Sequence, residues 1–155
     1  PVTLCFAGFG NKLEALKKMV NKSDTNIKFA GFVNTDKELQ KRLSSPDFAL
    51  ISLKEDWTGI SVPSKFFASI ASGQPVIYSG SEDSDIGTWI RDYKIGIVLN
   101  KDNVKDVAAY LLRVSKNPEI IEKMKINAFN IYQNLYCKKV VCDAWDKELH
   151  KLLNE

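Results

Sequence analysis

Short apolar runs of β character alternate with segments of helical period from one end of the chain to the other, and this alternation limits the fold more than any single motif. The runs occupy residues 2–7, 27–33, 48–53, 75–78 and 96–99. They are nearly continuous in apolar residues instead of alternating with polar ones, the pattern of strands covered on both faces. Pro75 stands first in its run, where a missing N–H is tolerated.

Between the runs lie helix signals. Leu13, Leu16 and Val20 share one stripe, and Thr35 followed by Glu38 reads as a capping box opening a helix with Leu39 and Leu43. Asp102 is placed to cap a helix carrying Val104, Val107, Ala108, Leu111 and Leu112. Two further helices are predicted over 119–135 and 138–153, striped by Ile121, Met124, Ala128 and Ile131, and by Val141, Ala144, Trp145 and Leu149. Strands separated by helices require right-handed crossovers and therefore a parallel sheet. The expected architecture is α/β: a Rossmann-like three-layer domain with a mainly parallel sheet and additional C-terminal helices. Ligands of such folds bind beyond the carboxyl ends of the strands. The loops to watch are thus 8–11, 33–36, 54–62, 79–85 and 100–103.

The 155 residues suit one domain spanning 1–155, with no linker or internal repeat. Lysines are interspersed with acids and the net charge is only +3, which points away from a nucleic-acid partner. No apolar stretch reaches the ~20 residues of a membrane span. Pro1 runs straight into 2–7 without the basic region of a signal peptide. The cysteines, Cys5, Cys137 and Cys142, are odd in number and lack metal-like spacing, so reduced thiols and a cytoplasmic location are expected. The lone His150 sits at a helix end without convergent partners, and no metal site is expected.

Residues 53–65 carry the strongest chemical signal. A strand runs into a long loop, through Gly59, Ile60 and Ser61, and then into a helix that ends at Gly73. Val62 leads to Pro63, which fits the first helical turn because its missing N–H would be unpaired there anyway. The free N–H groups of Ser64 and Lys65 would then form an anion site, with the Lys65 ammonium and Ser64 hydroxyl beside it. A plain proline-started helix with an exposed lysine accounts for the same residues equally well. Gly8-Phe9-Gly10 follows the first strand and can bring backbone close to a phosphate or sugar, although tight strand-to-helix turns need such glycines in any case. Gly31-Phe32-Val33 can flank a flat base, or Phe32 can be core. Phe66 and Phe67 read as helix core, and Glu82 and Asp83 as solvated loop.

The order Phe6-Ala7-Gly8-Phe9-Gly10, 26–33, Asp47-Phe48-Ala49-Leu50, Val62-Pro63-Ser64-Lys65 and Ala71-Ser72-Gly73-Gln74-Pro75-Val76-Ile77 resembles the C-terminal domain of GT-B glycosyltransferases, above all the retaining family four. Asp85-Ile86 and 95–98 match the next block, and the resemblance covers nearly all of the chain. It implies binding of a nucleoside-diphosphate sugar, UDP- or GDP-linked, for retaining transfer to a glycan or lipid-linked acceptor, with no cofactor and no obligatory metal. By resemblance, Val62, Pro63, Ser64 and Lys65 lie near the diphosphate. Gly8, Phe9, Gly10, Gly59, Ile60 and Ser61 line the cleft, and Gly31, Phe32, Val33 and Ala68 lie near base and ribose. The family often carries two glutamates where this chain has Ile60 and Ala68, and Ala68 cannot receive ribose hydroxyls. A lost charged hydrogen-bond pair is worth about 1.5–3 kcal/mol.

The resemblance further implies a donor-binding fragment, inactive alone, that lacks an N-terminal acceptor domain and the strand and helix preceding residue 1. The full enzyme would associate peripherally with a membrane face, and an apolar patch around Trp145 and Leu149 would let the fragment dimerise. A second reading is a non-catalytic partner domain that has lost donor chemistry. A receiver-like domain is disfavoured, because Gly8-Phe9-Gly10 stands where clustered acids would be needed.

Overall fold

The apolar runs become five short strands, all paired in parallel, in the computed structural model, which describes residues 2–153. Pro1, Asn154 and Glu155, the ends of the expected domain, lie outside the described residues. In chain order the elements are β1 (Leu4–Ala7), α1 (Leu13–Met19), β2 (Ile27–Ala30), α2 (Asp36–Ser44), β3 (Ala49–Ser52), a 3-10 turn (Glu55–Trp57), α3 (Ser64–Ala71), β4 (Val76–Ser79), α4 (Asp85–Tyr93) and β5 (Gly96–Leu99). α5 (Val104–Val114), α6 (Pro118–Ile131), a π turn (Tyr132–Tyr136) and α7 (Lys138–Leu153) follow. The alternation therefore does give an α/β fold with parallel strands and extra C-terminal helices.

One sheet was expected, and the strands form two. β1 pairs with β2, level from Leu4 with Ile27 to Ala7 with Ala30. β3, β4 and β5 form a separate three-stranded sheet in that order. Strands covered on both faces are found only in the second sheet. The core is built from Ile51, Val76 and Tyr78 of the strands, Phe66 and Ile70 of α3, Ile86 and Ile90 of α4, Ile95, and Ala128 and Ile131 of α6. By contrast, no residue from 2 to 50 is buried. The stripe of α1 buries nothing, and two strands with two helices cannot enclose a core.

Local signals are mostly honoured. The Thr35 hydroxyl accepts from Glu38 N–H at 3.3 Å, the first half of the expected capping box, but the Glu38 carboxylate accepts from the Thr35 hydroxyl at 3.1 Å and not from its backbone N–H. Gly73 ends α3 with φ +68°, the left-handed conformation that favours glycine there. Gly96 lets β5 approach β4, since any Cβ would collide with the Val76 carbonyl. Asp102 does not cap α5. Asn103 occupies that position, and its amide instead bonds Val98 O at 3.0 Å and accepts from Asn100 N–H at 2.8 Å, closing the loop.

The predicted helix over 119–135 ends its α-helical part at Ile131 and finishes as the π turn. That wider turn delivers Tyr136 to an aromatic cluster, 5.2 Å from both Phe67 and Trp89 between ring centroids. Trp89 also packs 5.3 Å from Phe66. α7 has no buried residue, and Trp145 and Leu149 are exposed on it as expected.

Candidate functional site at the start of helix α3

The chemistry-bearing residues lie on the loops that follow the strands, and the start of α3 is the best-defined part. Helix α3 begins at Ser64 with Pro63 as its N-cap, one residue later than placing Pro63 inside the first turn. Proline cannot offer a capping oxygen, and no side chain among the described residues caps this end. Phe66 N–H turns back to Pro63 O at 2.9 Å, which leaves the Ser64 and Lys65 amides without a protein partner among the described residues. α2 and α4 are closed by Thr35 and Ser84. Both Ser64 and Lys65 are exposed, and the Lys65 ammonium makes no ion pair among the described residues. Two free amides, a helix dipole and an unpaired ammonium together favour an anion.

The approach to α3 is held by its own backbone. Ile60 and Ser61 N–H both donate to Trp57 O at 3.1 Å, and Gly59 adopts φ +77°, a conformation other residues enter at a cost. The loop thus forms a compact turn that presents Ile60, 76% exposed, to solvent. The Thr58 hydroxyl is buried within it and has no hydrogen-bond partner among the described residues.

Gly8-Phe9-Gly10 and Gly31-Phe32-Val33 meet each other across the rim of the first sheet. The Phe9 and Phe32 rings contact edge to face, with centroids 5.2 Å apart. Both are largely in solvent, at 79% and 62% exposure, so Phe32 is not core. Of the glycines here only Gly8 has a positive φ, +121°. Sequence reasoning missed Arg42, whose guanidinium in the last turn of α2 donates to the Gly31 carbonyl and fixes that loop. Its only signal was a basic residue late in a helix leading back to the sheet.

Ala68 lies on the exposed flank of α3, one turn below Ser64. It borders a shallow apolar hollow of about 420 Å³ shared with Phe67, Ala71, Tyr136, Val141 and Cys142, away from the amino end of the helix. A methyl group there offers no acceptor. Glu82 accepts from the Asn100 amide at 3.1 Å, so it braces two loops and is not simply solvated. Ser84, buried, caps α4 through Gly87 N–H at 3.1 Å. Among the described residues no three His, Cys, Asp or Glu side chains converge on a metal position, and no helix is long and apolar enough to cross a membrane. Cys5, Cys137 and Cys142 are free thiols, and Cys5 is exposed despite its apolar neighbours. His150 is exposed, with Nδ1 2.9 Å from the Asp146 carbonyl.

No curated protein matches the sequence. Among solved structures the fold is similar to WaaG, a glycosyltransferase involved in lipopolysaccharide biosynthesis, with a TM-score of 0.61 and 19% identity. That likeness covers 93% of this chain but only 37% of the WaaG chain. The family model of glycosyl transferases group 1 matches residues 1–117, a span that contains both sheets, all the rim loops and the start of α3. This chain, a GT-B-like half by fold, belongs to the glycosyl transferases group 1 family.

Proposed function

We propose that the chain is the donor-binding domain of a retaining glycosyltransferase and seats the pyrophosphate of a nucleoside-diphosphate sugar at the start of α3. The unpaired Ser64 and Lys65 amides carry this reading. A pyrophosphate there accepts from both N–H groups and from the Ser64 hydroxyl, while the Lys65 ammonium neutralises part of its charge. The Gly59–Ser61 turn borders the sugar end. The Gly31–Val33 loop, braced by Arg42 and carrying the exposed Phe32 ring, offers a flat apolar edge to the base. The acceptor, a glycan or lipid-linked saccharide, belongs to a second domain of the full enzyme at a cytoplasmic membrane face. Transfer then needs both substrates in one cleft. Alone, this chain binds donor and does not turn over.

Calorimetric titration with UDP, GDP and their sugar conjugates tests the assignment. One nucleoside diphosphate binds, and Lys65→Ala weakens it by roughly tenfold or more, the scale of a charged hydrogen bond. Binding of none of them rejects a donor site in this chain.

Ile60 and Ala68 favour a second reading, a partner domain without donor chemistry, since neither supplies a carboxylate at the two positions where the resemblance expects one. Ala68→Glu separates the readings. It tightens nucleotide binding if the ribose lies against α3, and changes nothing if the domain has no donor site.

A further inference from the structure

Two buried hydroxyls lack a hydrogen-bond partner among the described residues, those of Thr58 and Tyr78. Both belong to the carboxyl rim of adjacent strands: Thr58 stands on the loop after β3, and Tyr78 near the end of β4. Burying an unpaired polar group forfeits its hydration with nothing in return, so an orphan in a folded chain calls for a reason. Tyr78 is fully buried, in the same core as Phe66 of α3 and Ile86 of α4. Its ring runs toward the rim and ends under Gly80, where an added Cβ would stand 2.5 Å from the hydroxyl. Gly80 thus covers the hydroxyl with bare backbone.

The Gly80 backbone is itself unheld. Val76 N–H donates to Ile95 O at 2.9 Å, which turns the even residues of β4 toward β5, yet the ladder stops before Gly80. Neither the N–H nor the C=O of Gly80 has a hydrogen-bond partner among the described residues. Both of its neighbours are anchored. The Ser79 carbonyl accepts from Leu53 N–H at 3.0 Å, and the Ser81 carbonyl accepts from the Ser84 hydroxyl at 2.7 Å. A single unbonded glycine between two fixed points can rotate where its neighbours cannot.

We propose that Gly80 is a one-residue flap over the Tyr78 hydroxyl, and that it swings aside so that this hydroxyl, with the Gly80 N–H and C=O, binds a hydroxyl group of the donor's sugar. The inference rests on the donor-site reading and deepens it. The three groups supply both donors and acceptors, which suits a sugar hydroxyl, since that group gives and takes hydrogen bonds. A phosphate oxygen only accepts, and the Glu82 and Asp83 carboxylates on the same loop would repel it. The place agrees too. The bond from Leu53 to Ser79 sets this loop beside the one carrying Gly59 to Ser61, which borders the sugar end.

Calorimetry of the parent chain and of Tyr78→Phe with UDP, UDP-glucose, UDP-N-acetylglucosamine, GDP and GDP-mannose provides the test, together with the NMR signal of the Gly80 amide. Free diphosphate binds both chains alike, within about twofold. One sugar conjugate binds the parent more tightly than its diphosphate, and Tyr78→Phe loses about three- to tenfold of that affinity, the scale of one neutral hydrogen bond. The Gly80 signal moves with the conjugate and stays still with the diphosphate. Without ligand, Tyr78→Phe melts no lower than the parent, because the hydroxyl it lacks had no partner. The flap is overturned, with the diphosphate seat intact, if no conjugate outbinds its diphosphate, or if the variant weakens both alike or neither. A lower melting point for the variant overturns it too, since the hydroxyl is then already paired. If no nucleotide binds the parent, the donor reading fails and the flap with it.

Discussion

Residues 4–44 and residues 49–136 are written in the same pattern, strand then helix, yet they fold to different depths. The first stretch forms two strands and two helices with no buried side chain. The second closes around Phe66 and Ile70, both fully buried, with α3, α4, α6 and the π turn packed on and beside three strands. Apolar content does not separate them, because β1 carries Leu4 and Phe6, and β2 carries Ile27 and Phe29. What separates them is the number of neighbours. A parallel strand gains its stability from layers on both faces, and a two-stranded parallel sheet has too few strands to support them. Phe6 and Phe29 stack at 5.4 Å, but nothing covers the pair completely.

This contrast can be broken by mutation. Phe66→Ala should cost about 3–5 kcal/mol of unfolding free energy, as expected for a fully buried aromatic, while Leu16→Ala on α1 should stay within about 0.5 kcal/mol. Urea unfolding of the two variants measures both. Equal costs would mean that the first stretch shares the core after all.

Matched helix caps sharpen the comparison at smaller scale. Ser84→Ala removes a buried cap of α4 and should cost about 1–2 kcal/mol. Thr35→Ala removes an exposed cap of α2 and should cost about 0.5 kcal/mol, visible as faster local exchange in α2 more than as a global shift.

Alkali provides the mildest probe, through a tyrosine of the second stretch. Burial, with Tyr93 and Asp85 adding to it, pushes Tyr136 up to about 12 from an ordinary 10.0. The unfolded chain gives up that proton first, so the contribution of Tyr136 is complete below pH 10 and is lost as pH rises toward 12. Thermal midpoints between pH 9 and about 12 should fall less steeply in Tyr136→Phe than in the parent chain.

Much of this was legible in the residues because it is local. The Thr35 cap of α2, the helix stop at Gly73 and the uncapped start after Pro63 each follow from a few neighbouring side chains. The strand runs were also legible, but not their division into two sheets, since an apolar run does not state how many partners it has. Contacts between distant loops were equally hidden. The Phe9–Phe32 edge contact, the Arg42 bond to Gly31 and the arrival of Tyr136 beside Trp89 all depend on tertiary placement. Glu82 misled for the same reason, because its carboxylate accepts from the Asn100 amide on another loop.

The central claim is that free main-chain amides at the start of α3 seat a pyrophosphate. It is tested most directly by amide-resolved NMR of this chain during titration with UDP and GDP. The account predicts that the Ser64 and Lys65 amide signals move furthest, followed by Gly59 to Ser61, with α7 unmoved. Saturating nucleotide that leaves those two amides in place, or shifts confined to the hollow beside Ala68, would contradict it.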